Sequence, residues 1–291
     1  MTKLVFVVML MMAMGNATAN EVKQVEVNGM KMDYIEQGDG PLMVLLHGAL
    51  GTYKTWINYM PALSQDFRVV SVSQRYYGSN EWDDSAPKTS LTQMASDLAV
   101  FIKAINNGQP AHAAGWSMGS RVLHQALLEY PEAIRSAYLF EGAAVLEVDS
   151  KTLEADKEYF GEKFKYIGAA MKKGESAAVA NELLKAVSGG KVSVEDLNDA
   201  GKERVSDSLN GMWKWLTRER MAPITCEKMA MTNVPINFVF GKDTIFIDLV
   251  DGRFDGCLGP NANVEAVEGD HLWPGDHDAF TKSLREFAQK H

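Results

Sequence analysis

The chain has 291 residues, 46% of them hydrophobic and 23% charged; a disordered chain is excluded, and one folded domain with a sizeable core is expected. A formal net charge of −9 and the lack of any basic run argue against nucleic acid or an anionic membrane as a partner.

The first twenty residues, MTKLVFVVMLMMAMGNATAN, differ from the rest. Lys3 gives a positive start, Leu4 to Met14 an apolar stretch, and Ala17-Thr18-Ala19 a small-x-small cleavage site, the pattern of a secretory signal. The apolar stretch is shorter than the roughly 20 residues a bilayer span needs. The expected mature chain therefore begins at Asn20, without a stable membrane anchor, in the periplasm or outside the cell. Cys226 and Cys257 would then meet an oxidising environment, where a disulfide and two separate buried thiols are both open. Their spacing suggests no metal site.

Next, QVEVNGMKMDYIEQG alternates around Asn28-Gly29, a two-residue hairpin turn. PLMVLLHG and FRVVSVS are apolar runs suited to strands buried on both faces. Between them Thr55 to Gln65 can form a short helix interrupted at Pro61. From Ser90 to Gly108 apolar residues recur at helical spacing, and Ser90 with Gln93 forms a capping box. AHAAG reads as a strand, Met118 to Tyr130 as a helix, and IRSAYLFEG as another strand. This alternation predicts an α/β fold, a mostly parallel sheet covered by helices on both faces. It lapses from 147 to 230, where helical patterns occur without a convincing strand, so a helical insertion is expected there. VPINFVFG and NVEAVEG are further strands, and a helix closes the chain from about Asp276. The expected division is 1–19 signal, 20–146 and 231–291 sheet domain, and 147–230 inserted cap.

Gly115-Trp116-Ser117-Met118-Gly119 fits G-x-S-x-G between a predicted strand and a predicted helix. A nucleophile on such an elbow is strained, and side chains two residues to either side would collide, so glycine is needed at both places. Ser117 would sit at a helix N-terminus, which favours developing negative charge. Serine needs a base to take its proton, and that base needs a carboxylate. His271, in VEGDHLWPGDHDAF, follows the last predicted strand and is preferred to His277, which falls in or next to the closing helix. His112 and His124 lie within structural elements, and His291 is the last residue. Asp243, in the loop after VPINFVFG, completes the chain order Ser, Asp, His.

Together LLHGALG, QRYYGSN, GWSMG, the GKD loop and GDHLWP give the chain a resemblance to the α/β-hydrolase fold superfamily, in its helically capped form. The resemblance implies that Ala49 and Met118 give backbone N–H groups to an oxyanion hole, that His47 braces its loop, and that no cofactor is used. One departure stands out: related sequences often carry the acid three residues after the loop glycine, whereas Asp243 is two after Gly241 and Thr244 occupies the third place. Glu141, at the end of YLFE, is the alternative acid, and Asp248 a third.

Members that open epoxides or remove halide carry Asp at the elbow, so Ser117 points to acyl transfer. The expected function is an exported serine hydrolase acting on a small or medium carboxylic ester. Alternatives are a carbon–carbon bond, lactone or amide hydrolase with the same triad, and a non-catalytic ligand sensor. Trp116, Tyr76, Tyr77, Trp273, Trp213 and Trp215 are expected near the mouth, favouring an apolar or aromatic small-molecule substrate. Arg75 and Arg121 could receive a carboxylate or serve structural ion pairs.

Overall fold

The computed structural model describes residues 21–80, 89–142, 146–147, 158–219, 224–225, 228, 232–246 and 258–291. Residues 1–19, expected as a signal, and Cys226, Cys257 and Asp248 lie outside them. The strands are β1 (Lys23–Val27), β2 (Met30–Gln37), β3 (Leu42–Leu46), β4 (Arg68–Val72), β5 (Ala111–Trp116), β6 (Ile134–Phe140), the two-residue β7 (Leu146–Glu147) and β8 (Ile224–Thr225), β9 (Ile236–Gly241) and β10 (Ala262–Val267). Helices include α1 (Met60–Leu63), α2 (Leu91–Ile105), α3 (Met118–Glu129), α4 (Lys165–Lys173), α5 (Ser176–Val187), α6 (Asp199–Leu216) and α7 (His277–Lys290).

Eight strands form one sheet in the order β1-β2-β4-β3-β5-β6-β9-β10. β1 and β2 pair antiparallel, as does β2 with β4, while every other pair is parallel. The uninterrupted apolar run of β3 follows from its place: Leu42, Val44 and Leu46 face one core, and Met43 and Leu45 the other. On the first face pack Leu98, Phe101 and Ile102 of α2 and Leu123 and Leu127 of α3. Met60 and Leu63 of α1 and Phe280 and Leu284 of α7 cover the second. Alternation along each strand thus divides one apolar sequence between two layers.

Pro61 lies in the first turn of α1, after a separate 3-10 turn at Tyr53–Trp56, which is the break expected there. Ser90 Oγ accepts from the Gln93 N–H at 3.0 Å. The reciprocal half of the expected capping box is absent, because the Gln93 side chain donates to Asp97 instead. Arg75 pairs with the same carboxylate at 2.5 Å, both groups nearly buried, and so serves the fold.

Helices α4, α5 and α6 lie in sequence between β6 and β9 and form their own apolar cluster from Ile167, Val179, Leu183, Val187, Val205 and Met212. Phe246, beyond β9, joins that cluster and ties the insertion to the loops at the carboxyl end of the sheet.

Candidate active site

Ser117 follows β5, the strand between β3 and β6, and precedes α3. Its backbone has φ 52° and ψ −110°, a region that costs a non-glycine residue of the order of 1–3 kcal/mol and persists only when its surroundings impose it. The surroundings are tight. A Cβ on Gly115 would stand 2.5 Å from the carbonyl carbon of Gly119, and one on Gly119 would stand 2.5 Å from the Leu46 oxygen. The Ser117 N–H donates to the Phe140 carbonyl at 2.8 Å, fastening the elbow to the end of β6.

His271 is buried, with Nε2 3.0 Å from Ser117 Oγ and Nδ1 2.9 Å from Glu141 Oε2. With Nδ1–H directed at the carboxylate, Nε2 is left to accept the Ser117 hydroxyl proton. The base loop is folded by Asp270, which accepts the Leu272 N–H at 2.9 Å and the Trp273 N–H at 3.1 Å. Trp116 Nε1 donates to the His271 carbonyl at 2.8 Å, and the Phe246 ring meets the imidazole edge-on at 5.0 Å. His277 is the first residue of α7, stacked on Tyr59.

The carboxylate behind the imidazole is Glu141, which corrects the expectation of Asp243. Asp243 is exposed, and its backbone N–H serves the Gly269 carbonyl at 2.9 Å. Glu141 ends β6 with φ +57°, in the left-handed region. Its Oε1 accepts the Gly241 N–H and its Oε2 the Thr244 hydroxyl, each at 2.7 Å. Thr244, which occupies the place where related sequences often carry the acid, therefore holds the acid that comes from the neighbouring strand. Sequence reading noticed Thr244 only as a displacement; the hydroxyl itself was the available signal.

Met118 is the first residue of α3, so its N–H is one that an α-helix leaves without an internal acceptor. Ala49 lines both cavities that open on Ser117. Its loop is held by His47, whose Nε2 accepts the Gln74 N–H at 3.0 Å while Nδ1 donates to the Gly48 carbonyl at 2.8 Å. Burial pushes the His47 ring down to about 4, so it stays neutral and able to accept.

Two cavities meet at Ser117, Ala49 and His271. The larger, about 380 Å³, is lined by Trp116, Leu183, Leu184, Val187, Val205 and Trp273 among others. The smaller, about 260 Å³, reaches Met118, Arg121, Phe160, Phe246, Trp215 and Arg218. Of the aromatic residues expected at the mouth, Tyr76, Tyr77 and Trp213 line neither. Tyr76 is buried in the core on the α2 and α3 face of the sheet, and Trp213 packs within the inserted helices. Tyr77 lies beneath the site, its hydroxyl 3.1 Å from Met118 Sδ.

Residues 41–180 match the alpha/beta hydrolase fold family. The chain is 29% identical over 109 residues to bifunctional epoxide hydrolase 2 of Sus scrofa, a match covering 37% of this chain and 20% of that protein. It is 30% identical over 119 residues to pyrrolizixenacetamide deacetylase of Xenorhabdus hominickii, covering 40% and 44%. These curated relatives are thus matched over less than half of their own length. The crystal structure of an epoxide hydrolase from Vigna radiata superposes with a TM-score of 0.67 at 19% identity, over 94% of this chain and 99% of that one. The chain has the α/β-hydrolase fold.

Proposed function

We propose that the protein is a serine hydrolase that cleaves small or medium carboxylic esters through an acyl-enzyme. The observation that carries this reading is the unbroken chain Ser117 Oγ, His271 Nε2, His271 Nδ1, Glu141 Oε2, with links of 3.0 and 2.9 Å, on the floor of two cavities. Ser117 Oγ attacks the ester carbonyl as His271 takes its proton, and Glu141 stabilises the imidazolium that forms. The N–H groups of Ala49 and Met118 receive the oxyanion; each such donor contributes about 3 kcal/mol to lowering the barrier. His271 then protonates the leaving alkoxide, the acyl group stays on Ser117, and a water deprotonated by His271 releases the acid.

Ser117 stands where epoxide-opening members of the fold carry Asp, which supports acyl chemistry over epoxide opening, and the relative named as a deacetylase fits that side of the division. The inserted helices act as a cap whose Leu183, Val187 and Val205 present an apolar surface to the substrate. The leader supports a site of action outside the cytoplasm. Treatment with a fluorophosphonate is expected to label Ser117, and Ser117→Ala and His271→Ala each to abolish turnover of p-nitrophenyl acyl esters, while His277→Ala retains most of it. An unlabelled Ser117 in folded protein would defeat the proposal.

A further inference from the structure

The larger cavity holds a cation to which the described residues supply no counter-charge. Its walls are mainly Leu183, Leu184, Val187, Val205 and Trp116, no carboxylate lines it among the described residues, and Arg204 enters it from α6. The acids adjacent to Arg204 along that helix are Glu203 and Asp207, and both are taken by Lys54, whose Nζ lies 2.6 and 2.8 Å from them. Arg204 has no ion-pair or hydrogen-bond partner among the described residues. Burial lowers its pKa, against a smaller opposing effect of Tyr59, yet a guanidinium stays charged at any working pH. His277 also lines the cavity, stacked on Tyr59 at 4.1 Å, with Nε2 buried and without a hydrogen-bond partner.

A charge confined among apolar walls is costly unless something pairs with it, and among the described residues of this acidic chain no carboxylate lines the cavity. A planar guanidinium fork matches a carboxylate. We propose that Arg204 receives a free carboxylate of the substrate, so that the preferred ester is an anionic one, with an apolar spacer between its carboxylate and the carbonyl at Ser117. This rests on the serine hydrolase reading and narrows its substrate class.

The test compares matched pairs in which only the charge differs: 4-nitrophenyl hydrogen glutarate against its methyl diester, and 4-acetoxybenzoate against methyl 4-acetoxybenzoate. These place the carboxylate on the acyl and on the alcohol side respectively. The wild-type protein should prefer the anion in at least one pair by about tenfold or more in kcat/KM, as expected for a charge-assisted hydrogen bond. Arg204→Gln should bring that ratio close to one, with Arg204→Lys between. Arg285→Gln, which removes a distant pairing with Asp66, should leave it unchanged. No preference in either pair, or one that survives Arg204→Gln and falls with Arg218→Gln in the other cavity, overturns the assignment. Fluorophosphonate labelling separates the two failures: labelled, active protein without charge preference sinks this inference alone, whereas unlabelled protein sinks the hydrolase reading and takes this inference with it.

Discussion

Glu141 and Asp243 differ in what surrounds their carboxylates. Glu141 is buried and receives an N–H, a hydroxyl and the imidazole, whereas Asp243 is exposed. Glu141→Gln is therefore expected to lower kcat by about ten-thousandfold, as loss of the imidazole's orienting acid does. Asp243→Asn should change it by no more than about twofold, as a surface substitution, and turnover of one activated ester measures both. Thr244→Val, which deletes one hydrogen bond to the acid, should cost about tenfold. The serine and the base were legible because backbone constraint dictates residue type: G-x-S-x-G tolerates nothing larger at its flanks, and GDHLWP is a turn with a histidine in it. The acid was legible only as an alternative, because its place is decided by a positive φ at Glu141 and by a hydroxyl across the strand. The first leaves no pattern in one sequence, and the second shows only as a threonine in the place where related sequences often carry the acid.

Among the elements, the strands were read most directly, since runs such as LMVLL must be buried on both faces. The inserted helices were legible as helices, but their packing against the site was not, and the aromatic residues assigned to the mouth divided between cavity, core and cap. One contact between elements has mechanical consequences. A Cβ on Gly211 of α6 would come within 2.4 Å of the Tyr77 ring, and Tyr77 in turn touches Met118. Gly211→Ala should displace that ring, lowering kcat/KM about tenfold while costing about 1–3 kcal/mol of stability. Kinetics and urea unfolding on the same preparation check this. Lost stability with unaltered kinetics would show that the contact does not reach the oxyanion side.

For the whole molecule, pH is the informative variable. Burial pushes the rings of His47 and His112 down to about 4 and that of His124 to about 3, against 6.5 in an open chain. Below about pH 6.5 the unfolded chain takes up protons that the folded protein refuses, so stability falls as the pH drops toward 4 and levels off once the folded rings titrate. Each ring contributes up to about 1.4 kcal/mol per pH unit in that window. Urea midpoints at pH 7 and pH 5 should differ accordingly, and coincident midpoints would contradict the burial of these rings.

The bond from the Ser117 N–H to the Phe140 carbonyl, with Glu141 next in the chain, has a consequence for how such a protein can diversify. Ser117 and Glu141 both precede the inserted helices in sequence, at the ends of the paired strands β5 and β6, whereas Gly241, Thr244 and His271, which bond to them, follow the insertion. The inserted segment can therefore be exchanged for another between β6 and β9, altering what lines the cavities while both strand ends keep their places. Specificity and reactivity are inherited on separate stretches of polypeptide.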